Sequence, residues 1–358
     1  MKNLASIATM FGVFILVYLS GCTKPYPYGP IQVLEQVKFR TGDTAYLEIN
    51  PAFGGLNSPS ALLIGNDNLM YVADAGNNRI VMMNLAGVVL GERQVLQPTA
   101  LAQDLRMDLL VGGTIAKSSG DTVGAIFRIH LVQASHQFVE AAMDTVWKED
   151  AHPERRFVGI AVMPDNQYLL GRTGPDNSSF IDPDTRILRF SDQDRFITPV
   201  TDLATGTGTG ITYINRLTGI RAFPNSHDFI ALQSAEGVAY GAVWMVYQQS
   251  SDFEGWLPKF DPTNLAQGSV DFVRPNRLIF PTGVAMDNTR LDIFIADVSQ
   301  DSIFKFNSKG VFRHESFGSY ATNGRMLRPT GLAFFDKTLY VSDAQANCIF
   351  RFKLSSDF

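Results

Sequence analysis

The sequence predicts an all-β protein: a six-bladed β-propeller whose ring is closed by an N-terminal strand joining the last blade. Three observations predict it. A short anchor recurs six times, at Pro59-Ser60-Ala61-Leu62, Pro98-Thr99-Ala100-Leu101, Phe157-Val158-Gly159-Ile160, Leu217-Thr218-Gly219-Ile220, Pro281-Thr282-Gly283-Val284 and Pro329-Thr330-Gly331-Leu332. A second and a third apolar run follow each anchor in fixed order, with a weaker fourth, so one supersecondary unit is being repeated. Nothing between the units carries a long helical period. Four short strands per unit, repeated around a ring, make a propeller, whereas a β-sandwich does not impose the same four-run cycle.

Composition narrows the class. The chain has 358 residues, 45% hydrophobic and 18% charged, with 30 Gly, 17 Pro, two Cys and a formal charge of −5. The apolar share is too high for a disordered chain. Two cysteines make neither a disulfide framework nor a four-cysteine zinc site. A pI near 5.6 lacks the basic face that nucleic acid requires, so no nucleic-acid partner is expected.

Taken in order, residues 1–21 read as a secretory signal: Lys2, then an apolar run from Leu4 to Tyr18. The run is too short to span a ~30 Å hydrocarbon core comfortably. Leu19-Ser20-Gly21-Cys22 resembles the bacterial lipobox. That resemblance implies cleavage before Cys22 and lipid on its thiol, hence a cell-envelope lipoprotein anchored in a membrane. Thr23, rather than Asp, follows the cysteine, which by the enterobacterial sorting habit favours the outer membrane. Residues 22–43 form a lipidated, Pro-rich tether, and 44–358 form the propeller.

Within the propeller the second runs are 69–74, 108–113, 167–172, 228–233, 292–297 and 338–343. The third runs are 79–84, 125–130, 186–191, 242–247, 302–307 and 348–353. Several alternate apolar with polar residues, the period of a strand with one wetter face. Only 30 residues remain from Pro329 to the end of the sequence, enough for three strands. The lone strand-like run 44–50 is therefore expected to supply the outer strand of blade six, removing an open edge.

Tyr71-Val72-Ala73-Asp74-Ala75-Gly76-Asn77-Asn78-Arg79-Ile80 resembles the core of the NHL repeat, as do Phe294-Ile295-Ala296-Asp297 and Tyr340-Val341-Ser342-Asp343. Blades two, three and four depart, with Gly112, Arg172 and Gln233 near the Asp position. Asp74, Asp297 and Asp343 read as turn caps rather than metal ligands, because a carboxylate at a strand end accepts backbone N–H groups of the next turn.

Function is expected on the top face, where the inner strands begin. Blades two to four carry the longer loops there: 113–124, 172–186 and 233–241 between strands two and three, and 148–156 and 205–216 entering blades three and four. Binding residues concentrate on such loops. The candidates for a protein, peptide or glycan partner are Arg155, Arg156, Arg172, Asp176, Asp182 and Asp184, with Tyr213 and Tyr240. Arg172 suits a carboxylate or phosphate through its planar fork, or alternatively an internal pair with a nearby Asp. The glycine-rich 205–210 lacks the Lys-Ser/Thr of a phosphate loop. The five His show no ligand spacing, no serine elbow appears, and Cys348 reads as a small buried residue.

Two enzyme groups share related six-bladed scaffolds. The gluconolactonase–regucalcin group holds a divalent cation with Glu, Asn and Asp. The peptidyl-amidating lyases hold zinc with His, beside Tyr and Arg. The sparse His content speaks against the second. The first remains the alternative, a metal-assisted hydrolase or lactonase with a cation in the central channel. The leading expectation is a binding module with no metal and no cofactor.

Overall fold

The computed structural model describes residues 44–179, 181–200, 214, 216–234, 240–260 and 271–358. Cys22, the tether, the glycine-rich 205–210 and Tyr213 lie outside them. Six four-stranded antiparallel sheets are arranged in chain order. Blade one is β2 (Pro59–Ile64), β3 (Met70–Asp74), β4 (Arg79–Met83) and β5 (Val89–Gln94). Blade two is β6 (Leu96–Gln103), β7 (Leu109–Ala116), β8 (Thr122–Ile129) and β9 (Met143–Lys148). Blade three is β10 (Arg156–Val162), β11 (Tyr168–Thr173), β12 (Arg186–Phe190) and β13 (Phe196–Pro199). Blade four is β14 (Leu217–Ala222), β15 (Phe229–Gln233), β16 (Ala242–Gln249) and β17 (Glu254–Pro258). Blade five is β18 (Pro281–Met286), β19 (Ile293–Asp297), β20 (Ser302–Phe306) and β21 (Phe317–Gly318). Blade six is β22 (Pro329–Phe335), β23 (Thr338–Asp343), β24 (Cys348–Leu354) and, on its outside, β1 (Tyr46–Glu48) from the other end of the propeller chain.

The closing strand pairs Tyr46 with Leu354, Leu47 with Lys353 and Glu48 with Phe352. Tyr46 enters the layer between blades five and six, with its ring 5.6 Å from both Phe294 and Phe317. Lys305 Nζ lies 5.4 Å from the Tyr46 ring and 2.9 Å from Asp292.

The core is a set of layers between neighbouring blades rather than one central mass. Tyr71 and Ile80 of blade one, for example, share a cluster with Leu109 and Phe127 of blade two. Middle strands are covered on both faces, so β3 and β19 are buried throughout. Their near-continuous apolar runs follow from that. Outer strands alternate instead, as β5 does.

The repeated anchor is a bulge. Register shifts between Pro59 and Ala61, Phe157 and Gly159, Leu217 and Gly219, and Pro281 and Gly283 leave one extra residue on the inner strand. A bulge re-aims that residue's side chain. Here the hydroxyl is turned onto the next blade. Ser60 Oγ donates to Pro98 O at 2.6 Å, Thr99 Oγ1 to Phe157 O at 2.5 Å and Thr330 Oγ1 to Pro59 O at 2.7 Å. Thr218 donates likewise to Pro281 O, and Thr282 reaches Thr330 O at 3.1 Å. Val158 breaks this belt between blades three and four. The glycine after it is required by close approach: a Cβ on Gly331 would stand 2.5 Å from Leu62 N.

Two elements differ from the sequence reading. Much of 113–124 is strand, because β7 and β8 extend as a hairpin with Ile115 opposite Val123 and Ala116 opposite Thr122. Its glycine and serine content mimics a loop. The outer run of blade five, 310–318, forms only the two-residue β21 and one bridge, Phe306 to Phe312.

Candidate functional site

Around blade three, the top face is built on a charge network whose members are buried apart from the half-exposed Asp182. Arg155, Arg172 and Arg186 converge on Glu149, Asp182 and Asp184. Arg172 replaces the strand-ending Asp of blades one, five and six, and the acids come from flanking loops instead. Its Nη1 donates to Glu149 Oε1 at 3.1 Å and its Nη2 to Asp182 Oδ1 at 2.7 Å. Two further bonds reach Asp184 O and Pro183 O. Arg155 Nε donates to Asp184 Oδ1 at 2.8 Å, and its Nη1 and Nη2 approach Glu149 and Asp182 at 3.3 and 2.8 Å. Arg155 is 3% exposed and Arg172 4%, so both guanidiniums face inward and hold the 174–185 loop. Burial works to raise the Asp182 carboxyl, but the bonds from Arg172 and Arg155 outweigh it and hold its pKa at about 2.

The other candidates spread outward. Arg156 bonds Pro153 O and reaches Thr122 Oγ1 of blade two at 3.3 Å. Asp176 is exposed and accepts bonds from the Ser178 N–H and hydroxyl. Tyr240 is half-buried against the layer between blades three and four, and its carbonyl accepts Gln233 Nε2. The loop that the network braces carries Ile181, which is 85% exposed.

Asp74, Asp297 and Asp343 are fully buried. Asp297 accepts the N–H groups of Ile279, Phe280 and Ser299, and Asp343 those of Leu327, Arg328, Gln345 and Ala346. Asp74 accepts Asn57 N and pairs with Arg79. Their oxygens fasten the segment entering each blade to the turn leaving its second strand.

Down the axis, the inner strands of all six blades line a cavity of about 250 Å³. It continues toward the bottom face into one of about 370 Å³. Ile160 and Arg221 border both. Among the described lining residues there is no carboxylate and no imidazole, and the hydroxyls of the belt are committed to neighbouring carbonyls. Hard divalent cations need several oxygen donors, usually carboxylates. A wall of this composition with an arginine in it does not fit one. His152, Glu154 and Asp184 offer donor atoms within 4.8 Å of one another near the top face. Asp184 Oδ1 and Oδ2 are already engaged by Arg155 Nε and the Asp176 N–H.

No protein-family model matches the chain, and no curated protein matches it. Solved structures do match in fold. A gluconolactonase from Xanthomonas campestris superposes with a TM-score of 0.56 at 10% identity, covering 89% of this chain and 99% of that one. A PQQ-bound aldose sugar dehydrogenase from Streptomyces coelicolor gives 0.57 at 15%, covering 87% and 99%. An auxiliary nutrient binding protein from Bacteroides thetaiotaomicron gives 0.56 at 10%, covering 84% and 70%. These likenesses establish the propeller. Their chemistries differ from one another, and at such identities none passes to this chain.

Sequence reasoning missed Arg221 and Ile181. Arg221 had a signal: aligning the six anchors places it opposite Leu63, Ala102, Ala161, Ala285 and Ala333. It is the misfit of that column. Ile181 had none, since a single apolar residue in a polar loop is ordinary.

Proposed function

We propose that this protein is a membrane-anchored envelope lipoprotein, held through lipid on Cys22. Its propeller acts as a non-enzymatic binding module for a protein, peptide or glycan at the top face of blades two to four. The bracing of the 174–185 loop carries this reading. Three guanidiniums and three carboxylates are spent on fixing one loop, and that loop presents Ile181 to solvent. Rigid presentation lowers the ordering cost of binding, and the same loop carries the exposed Ile181 and the exposed Asp176, so it offers both kinds of contact.

The gluconolactonase-like alternative would place a cation in the channel, where the described lining residues include no carboxylate or imidazole. The test is site-specific photo-crosslinking in intact cells from position 181, with position 47 on the outer rim as control. A discrete adduct from 181 and none from 47 is expected. No adduct from 181 overturns the top-face assignment. Separately, Cys22→Ser should move the protein out of the membrane fraction, and retention there would overturn the anchor.

A further inference from the structure

Arg221 occupies a position that the repeat fills with a small residue. Ala102, Ala161, Ala285 and Ala333 stand there in four blades and Leu63 in a fifth, and all five are buried. A guanidinium on a four-atom stem does not fit the alanine niche. Arg221 instead borders both axial cavities, at the waist between them. Among the described residues its guanidinium makes no hydrogen bond, ion pair or ring stacking, while its backbone pairs with Ile230 in the β14–β15 ladder. Apolar groups, including Ile160, Ile220, Val284 and Met286, line the same cavities. Burial lowers its pKa from the usual value. Arg221 is half-buried at the cavity wall and stays charged, with no counterion among the described residues.

The mouth below it has a different character. Asn66, Asn68 and Asn288 bring exposed side-chain amides to the rim of the 370 Å³ cavity, beside Phe223, Pro224 and Phe335. Its walls mix apolar groups such as Ile160 and Met286 with Gln103, Arg221 and the three asparagines, and a cavity of this size with convergent polar groups is a usual form of a small-molecule site.

We propose that the bottom-face cavity binds a small organic monocarboxylate. Its carboxylate lies on Arg221, its apolar body against the Ile160–Met286 wall, and its outer end meets the asparagine rim. The planar fork of the guanidinium matches a carboxylate with two parallel bonds. One cation balances one negative charge, whereas a phosphate near −2 would leave charge uncompensated in an apolar wall. The site lies at the opposite end of the channel from the top-face loops and does not depend on the partner assigned to them.

The test uses the full-length protein in nanodiscs, with thermal shift and calorimetry. Phenylacetate, hexanoate, phenylacetamide and inorganic phosphate are the probes. Phenylacetate and hexanoate should raise the melting temperature and bind, while the neutral amide and phosphate should bind at least tenfold more weakly. Arg221→Ala installs the residue of four sister blades, so it should fold with an unliganded melting temperature at or above the parent's and lose carboxylate binding at least tenfold. Arg221→Gln, closer in volume, should lose it equally. Carboxylate binding undiminished in both variants overturns the proposal, as does a parent that binds neither carboxylate. Phosphate binding as tight as phenylacetate overturns the assignment to a carboxylate.

Discussion

The ring should stand or fall on Tyr46. It is 3% exposed, and it stacks against Phe317 and edge-on to Phe294 in the layer between blades five and six. A buried aromatic side chain covers ~200 Å² of surface. At about 25 cal/mol per Å² that burial is worth about 5 kcal/mol as an upper figure. Tyr46→Ala should therefore lose about 3–5 kcal/mol, the usual range for truncating a core aromatic. In a domain of this size about 1 kcal/mol moves the melting temperature by roughly 2 °C, so the variant should melt roughly 6–10 °C lower. Leu47 on the same three-residue strand is 48% exposed and makes the control, with Leu47→Ala expected within roughly 2 °C of the parent. Differential scanning calorimetry of both variants decides it. Deleting 44–50 should go further, since it also unpairs the outer edge of β24, and an unpaired edge recruits other chains. If Tyr46→Ala and Leu47→Ala melt alike, the closing strand does not lock the ring and the reasoning fails.

Three further outcomes follow from the packing. Glu149→Ala removes the carboxylate shared by Arg155 and Arg172 and should cost about 3–5 kcal/mol by leaving buried charge uncompensated, seen as lower stability and faster proteolysis within 174–185; equal stability and equal cleavage would refute the bracing role. Gly331→Ala should destabilise by about 1–3 kcal/mol in a denaturant titration because the new Cβ meets backbone at Leu62, whereas Ala61→Gly at the equivalent site of blade one should cost less than half as much; the reverse order would contradict the close-approach account. His130 is the pH-sensitive group: burial opposes its charge, but the carboxylates of Asp144 and Asp108, each 3.0 Å away, raise its pKa above 6.5. Its stabilisation is present in full below pH 6.5 and is lost as pH rises through the folded value, so the melting temperature should fall across that window in the parent and stay flatter in His130→Gln; identical profiles would remove His130 from the account.

Much of this architecture is legible in the sequence because every blade solves the same problem. The anchors, the second and third runs and the closing strand follow from burial on both sides of a radial sheet, and burial leaves an apolar signature. What lay hidden has local physical causes. The anchor's hydroxyl residue looks variable until the bulge turns Ser60, Thr99 and Thr330 toward the neighbouring blade. The β7–β8 hairpin reads as loop because its turn residues outnumber Ile115 and Val123. The pairing of Arg155 and Arg172 depends on Glu149, which lies in the loop entering blade three and reaches Arg172 only once that loop is folded against β11. Nothing in the spacing of Arg172 and Asp182 distinguishes a braced loop from a free one.

The departures from the repeat locate both proposed sites. Consensus residues satisfy the fold in the other blades, so folding alone does not require Val158 in place of a hydroxyl, Arg172 in place of a strand-ending Asp, or Arg221 in place of Ala. All three fall in blades three and four. Arg172 inverts the charge at its position, and the neighbouring loops compensate it fully with Glu149 and Asp182. The product is a loop fastened at residues 182–184. Arg221 introduces a charge at its position, and the described residues do not compensate it at all. The first substitution is therefore paired within the chain, and the proposed partner surface rests on the loop it holds. The second has no counter-charge among the described residues, which is the gap the proposed monocarboxylate would fill.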